Sequence, residues 1–333
     1  MKKYSDFTDF ILGITHEIWE QRHVSSLRQL YAEDIPVRSP SSVVVGNENV
    51  IAATLATLNE FPDRQLFGED VIWDRTGGNS WLSSHRIYST ATHLGEGAFG
   101  QASGKRVGYR IIADCHAEAC PERGWKINDE WLVRDLGAIT RCLGMSAEEF
   151  ALIWLDNQEL DPSEVRFAGH RPGDGTKGPY QGQGNQSGIG RAYGELLQSI
   201  MGDDLSVIKT RYDRACEMQL PGGGAAHGID QCEAFWFSLK SAFPRAEFEL
   251  RHIIGREDAG MPPRAAIRWS LTGKHDGYGM FGEPSGAEVH VMGISHAEFG
   301  PRGLRREFIL FDEVAIWQQI LIGVDTHESG NAQ

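Results

Sequence analysis

Few residues of this chain combine a type and a setting suited to acid–base chemistry. Asp135 closes the string Glu130-Trp131-Leu132-Val133-Arg134-Asp135, and Asp312 closes the similar string Glu307-Phe308-Ile309-Leu310-Phe311-Asp312. If both strings are strands, alternation places Trp131, Val133 and Asp135 on one face, and Phe308, Leu310 and Asp312 on the counterpart face. A carboxylate among such neighbours is desolvated and its pKa rises toward neutrality, which suits proton transfer at carbon. The local alternative is that Asp135 and Asp312 cap the following helices, Leu136 to Leu143 and Glu313 to Leu321, or pair with an arginine.

Asp114 sits in the apolar string Ile111-Ile112-Ala113-Asp114-Cys115, where an ionised carboxylate is costly unless paired. The equivalent position later in the chain is His296, so two pockets built on these strands would differ in their polar group. His85, between Ser84 and Arg86, faces either a pocket or an opposing sheet. His93 and His275 precede glycine-rich turns at matching positions, which favours a structural role in the turn over ligand binding. His16 stands one helical turn before Trp19, while Tyr31 and Tyr212 could each donate a phenolic hydrogen bond to a ligand carbonyl. Trp19, Trp73, Trp131 and Trp269 supply apolar area to a core or a pocket wall.

Other chemistries find little support. There is no Gly-x-Ser-x-Gly nucleophile and no His-x-x-x-His pair, and Cys115-His116 with Cys120 has no second ligand cluster nearby in sequence. No metal or other cofactor is expected. Five cysteines with irregular spacing suit a reducing cytoplasm. The N-terminal stretch is broken by Asp9, His16 and Glu17, unlike a signal peptide, and no later run is long and apolar enough to span a membrane. A net charge of −14 disfavours a grip on nucleic acid or anionic lipid and leaves a small, weakly polar ligand as the expected partner.

The elements that must position these residues occur twice. Without a gap, Gly46, Phe61-Pro62, Arg86, His93, Gly95, Phe99-Gly100 and Ser103-Gly104 recur 182 positions later as Gly228, Phe243-Pro244, Arg268, His275, Gly277, Phe281-Gly282 and Ser285-Gly286. So long a period indicates duplicated domains rather than a solenoid. In each copy helical spacing comes first and ends at Phe-Pro, because proline disfavours helix in the residue before it. Strand-like runs follow at Gln65 to Trp73, Trp81 to Thr92, Arg106 to Cys115 and Trp125 to Val133, with counterparts at Phe248 to Ile254, Ala265 to Thr272, Val289 to Phe299 and Leu304 to Phe311. The expected fold class is therefore α+β, a curved antiparallel sheet wrapped on helices with a pocket between them. Expected boundaries are 1–160 for the first domain, 161–190 for a Gly-rich flexible linker or exposed loop, 191–325 for the second domain and 326–333 for a tail.

The order Trp19-Glu20, Tyr31-Ala32-Glu33-Asp34, Gly46, Phe61-Pro62-Asp63, Ser84-His85-Arg86, Thr92-His93-x-Gly95 and the closing Glu130 to Asp135 string resembles the SnoaL-like polyketide cyclase family of the NTF2-like superfamily. The second copy is similar through Trp269-x-Leu271-Thr272-Gly273-x-His275 and Gly293-Ile294-Ser295. The resemblance implies two tandem cone-shaped, cystatin-like α+β barrels and sheet-to-sheet contact, here within one chain as a pseudo-dimer that could assemble further. It also implies cofactor-independent cyclase, isomerase or hydratase/dehydratase chemistry on a small apolar carbonyl compound in the cone, with an Asp as general acid/base. The alternative is a non-catalytic ligand-binding or assembly module, since fold does not fix function.

Overall fold

The structure is a computed structural model that describes residues 4–331 apart from 159, 162, 163, 172, 175, 176 and 186. The first three residues, the last two, position 159 of the expected first domain and the other six positions, in the expected linker, thus lie outside the described residues. The first unit comprises α1 (Phe7–Thr15), α2 (Leu27–Leu30), β1 (Pro36–Arg38), β2 (Val43–Val45), α3 (Asn47–Glu60), β3 (Gln65–Gly77), β4 (Ser80–Thr92), β5 (Arg106–Cys120), β6 (Gly124–Arg134), α4 (Leu136–Leu143) and α5 (Ala147–Asp156). The second comprises α6 (Gly188–Met201), α7 (Val207–Arg211), β7 (Tyr212–Gln219), β8 (Ala225–His227), α8 (Ile229–Ala242), β9 (Glu247–Arg256), β10 (Arg264–Lys274), β11 (Glu288–Gly300), β12 (Gly303–Leu310) and α9 (Glu313–Asn331).

Strand order is β2-β1-β6-β5-β4-β3 in one sheet and β8-β7-β12-β11-β10-β9 in the other, the same topology twice. Both sheets are mixed and neither closes into a barrel. The short strands β1 and β7 pair in parallel with β6 and β12, which corrects the expected purely antiparallel sheet. Sequence patterning missed β1, β2 and β8, because three residues are too few to show alternation, and it missed β7, whose Tyr212 to Gln219 string is largely polar.

Repeated glycines have local causes. Gly46 and Gly228 precede α3 and α8 with φ of 90° and 77°, a region that side chains disfavour. Gly95 and Gly277 press the turn onto the end of the preceding helix, where an added Cβ would lie 2.0 Å and 1.9 Å from the carbonyl oxygens of Asn59 and Ser241. The helices α3 and α8 end before Phe61-Pro62 and Phe243-Pro244, as the proline spacing predicts.

The inner face of each sheet packs on its own helices, and the two outer faces pack on each other. Ile72, Leu82, Ile112, Trp131 and Val133 of the first sheet meet Ile254, Ala266, Met292, Ile294 and Leu310 of the second in one buried cluster. The sheet-to-sheet contact is thus made within the chain. The Gly-rich segment is docked rather than a free tether: Tyr180 is buried in the same cluster, its N–H donates to Asp129 at 3.1 Å, and Gly184 bridges to Ile253. Among the described residues no helix is long and apolar enough to cross a membrane.

Candidate functional site

Strand parity decides which side chains reach the cone. On β4 it turns Ser83, His85 and Ile87 inward and Leu82, Ser84 and Arg86 outward; on β6 it turns Glu130, Leu132 and Arg134 inward and Trp131 and Val133 outward. A cavity of about 60 Å³ lies inside the first cone, lined by Trp19, Tyr31, Arg64, His85, Cys115 and Arg134 among aliphatic residues. At roughly 10–15 Å³ per water centre that is space for about four waters, a narrow site.

Its polar groups are unusually uncommitted. His85 is buried, and its Nε2 has no hydrogen-bond partner. Burial, followed by the charge of Arg86, pulls its imidazole down to about 3, so it is neutral. Arg64 and Arg134 make no ion pair with a carboxylate among the described residues; Arg64 Nε donates to Ser89 Oγ at 3.4 Å. Burial and the neighbouring Arg64 lower Arg134 from the ordinary guanidinium range. Behind the cavity Glu130 is pushed up to about 7, first by burial, against the opposing hydrogen bond from Tyr31 and the charge of Arg134. Its Oε2 has no partner. Burial likewise holds the Tyr31 phenol and the Cys115 thiol well above their ordinary values.

The second cone keeps the tyrosine–glutamate pair and fills with buried apolar side chains. Tyr193 and Tyr212 donate to Glu307 at 2.8 Å and 2.6 Å, and Trp236 Nε1 donates to Tyr212 at 3.0 Å. Glu307 is pushed up to about 7 by burial. Trp269 occupies the space that Ile87 leaves open in the first cone, with its Nε1 on Ser295 Oγ at 2.9 Å. An added Cβ at Gly293 would lie 2.2 Å from that indole, so the small residue opposite is what admits it. Phe311 stands where the first unit has Arg134, and Ala246 where it has Arg64. The second unit carries apolar side chains where the first carries charge.

The aspartates expected to carry chemistry lie elsewhere. Asp135 caps α4, accepting from Ala138 N at 3.0 Å, and reaches across to the second unit to accept from Gly222 N at 2.8 Å and Gly223 N at 3.1 Å. Asp312 caps α9 through Val314 N at 3.0 Å. Asp114 is on the outer face, ion-paired at 3.1 Å with Arg268 of the other unit. His296 is also between the sheets, 2.8 Å from Ser84 Oγ and 3.3 Å from Arg86 Nη1. All four are corrections with one cause, because the apolar face assigned to the cone is the face on which the two units meet.

Of the remaining candidates, His85, Trp19 and Tyr31 do line the first cavity. His16 lies exposed on the rim, bonded to Glu20 and Gln21. His93 and His275 brace their turns through Ser103 at 3.0 Å and Ser285 at 3.1 Å, which answers for their shared position. Trp73 donates to Thr8 at 2.8 Å and Arg256 lies over its ring at 4.1 Å. Trp131 is held between the units under Arg268 at 3.6 Å, while Tyr212 and Trp269 belong to the filled cone. Cys115 and His116 point to opposite faces, and among the described residues no group of three ligating side chains is placed to hold a metal. Glu130, Arg64 and Arg134 were missed; the available signal was that each copy has a tyrosine before the sheet and a glutamate opening the closing string.

The SnoaL-like domain family model matches residues 194–305, so the second unit is a SnoaL-like domain, whose strand order the first unit repeats. Similar solved structures include IdmH of Streptomyces antibioticus, 20% identical over 41% of this chain and 98% of its own, with a TM-score of 0.34. A SnoaL-like polyketide cyclase of Agrobacterium tumefaciens is 21% identical over 40% of this chain and 97% of its own, at 0.32. TsrD of Streptomyces laurentii is 19% identical over 42% and 97%, at 0.33. No curated protein matches the chain.

Proposed function

From a chain whose second unit is a SnoaL-like domain and whose first repeats that topology, we propose that the first cone is the active site of a cofactor-independent acid–base enzyme. Its substrate class is a small carbonyl compound that passes through an enolate. The observation that carries this is a buried imidazole with a free Nε2 sharing a cavity with two guanidiniums that make no ion pair with a carboxylate among the described residues. A C–H bond next to the carbonyl breaks, its proton passes to His85 Nε2, and the electron pair moves to oxygen. The enolate oxygen then faces Arg64 and Arg134, whose fixed charges favour it most where water is excluded. The His85 imidazolium forms only alongside the enolate, and that ion pair offsets the burial that otherwise keeps the ring neutral. Return of the proton to another carbon completes an isomerisation; attack of the deprotonated carbon on a second carbonyl, whose oxygen then takes the proton back from His85, completes a ring closure. Tyr31, backed by Glu130 near neutrality, supplies a second proton route.

One observation favours a binding-only module, namely that His85 is held so far below neutrality that it serves more readily as a hydrogen-bond acceptor than as a base. Acetylacetone in heavy water separates the two. The enzyme reading expects protein-dependent deuterium uptake at the central carbon, read by NMR, that falls about a hundredfold or more in His85→Gln and in Arg134→Gln at unchanged melting temperature. Uptake equal to buffer, or indifferent to both substitutions, overturns it.

A further inference from the structure

A second recess, of about 470 Å³, opens at the seam of the two units, well apart from the cone. It exists only because the chain is double, since Trp131 comes from the first sheet, Arg251, His290 and Met292 from the second, and His170 and Lys177 from the segment that joins them. Successive strand residues normally face opposite ways, yet Arg251 and His252 both turn toward the seam. The reason is a bulge: Arg268 pairs with His252 and Trp269 with Leu250, so Arg251 is the extra residue and lies on the seam side with His252, while Leu250 keeps to the cone face with Trp269.

The recess has an apolar wall and a cationic rim. Trp131 and Met292 supply the wall. Arg251 donates through Nε to Ser270 at 2.8 Å and through Nη2 to Glu249, leaving Nη1 uncommitted, and exposed Lys177 has no polar partner among the described residues. At the back, Arg38 and Arg268 are held by Asp129 and Asp114. His170 and His290 are both drawn down to about 4, by burial and then chiefly by surrounding cationic and imidazole groups, Arg38 for the first and His170 for the second. Arg38, Arg268 and Arg251 are each paired with a carboxylate, Asp129, Asp114 and Glu249, which leaves Arg251 Nη1 and the Lys177 ammonium to meet an acid group. Asp174 and Glu249 are the acidic side chains on its walls.

We infer that this seam recess binds a small organic carboxylate, its apolar body against Trp131 and Met292 and its acid group at Arg251 and Lys177. Its volume falls in the range that small-molecule sites occupy. A carboxylate accepts from a guanidinium and an ammonium at once, which the equivalent alcohol cannot match.

Calorimetric titration of the full chain with octanoate and with octanol tests this. Expected are saturable one-site binding of octanoate, at least about tenfold weaker binding of octanol, and a loss of about tenfold or more in the Arg251→Gln/Lys177→Gln double variant. His85→Gln in the cone is expected to leave octanoate binding unchanged. Should the double variant fold poorly, Lys177→Gln alone, at a fully solvated position, carries the same test through a several-fold loss. No saturable binding, binding indifferent to the Lys177 substitution, or binding abolished by His85→Gln overturns the inference, the last by placing the carboxylate in the cone.

Discussion

Replacing Arg268 by methionine is the sharpest probe of how the two units are held together. Asp114 and Arg268 are 2% and 7% exposed and meet at 3.1 Å between the sheets. Burial already raises Asp114 above its ordinary value despite the guanidinium, and burial pulls Arg268 down to about 10. Without Arg268 the carboxylate either stays ionised in an apolar seam or takes up a proton. Protonation sets the ceiling on the cost. At pH 7, about three units above the ordinary aspartate value, that ceiling is about 4 kcal/mol; at pH 5, about one unit above it, it is about 1.5 kcal/mol. Loss of the cation–π contact with Trp131 at 3.6 Å adds about 1–2 kcal/mol at either pH. Urea unfolding at the two pH values should therefore show a penalty about 2–3 kcal/mol larger at pH 7. Asp114→Asn combined with Arg268→Met should retain only the pH-independent part. A penalty of equal size at both pH values, or no recovery in the double variant, would refute the assignment of Asp114 to the seam.

Two further outcomes follow from the buried carboxylates. Glu307 is raised to about 7, so the folded state holds its proton longer than the unfolded chain and stability falls as pH rises from about 4.5 to 7. Glu307→Gln should remove that contribution, gaining up to about 3 kcal/mol on the native protein between those pH values in urea titrations; a difference independent of pH would contradict it. Asp135→Ala strands the N–H groups of Ala138, Gly222 and Gly223 and should cost about 3 kcal/mol in thermal or urea unfolding. Residual folded protein should keep the deuterium exchange assigned to the cone, whereas a catalytic Asp135 would lose exchange without loss of stability.

Much of the architecture was legible because it is local or repeated. Proline after Phe61 and Phe243 ends α3 and α8, patterning locates every strand of eight residues or more except β7, and the shared glycines answer to a positive φ or to backbone contact. The site was legible only in part. His85, Trp19 and Tyr31 were recognised from type and position and do reach the cavity. Asp135, Asp114 and Asp312 were chosen from the apolar face of each strand, and in a two-layer domain that would have been the cone.

Here both faces of the central strands are buried, so hydrophobic alternation cannot say which is which. The outward set, Trp131 and Val133, is apolar because it meets the other unit. The inward set carries Glu130 and Arg134 because it surrounds a cavity. A one-residue change of parity exchanges every side chain between the two faces.

Sequence alone determined the duplication, the helices that end at Phe-Pro and the strands that follow them, because these depend on neighbours along the chain. Tertiary structure decided which carboxylates are caps and which cone remained open. Asp135 finds Gly222 from a position 87 residues away. The second cone is closed by one indole resting on Gly293. Such contacts follow from how two sheets meet and from how side-chain volumes fill a cone, and no spacing along the chain encodes either.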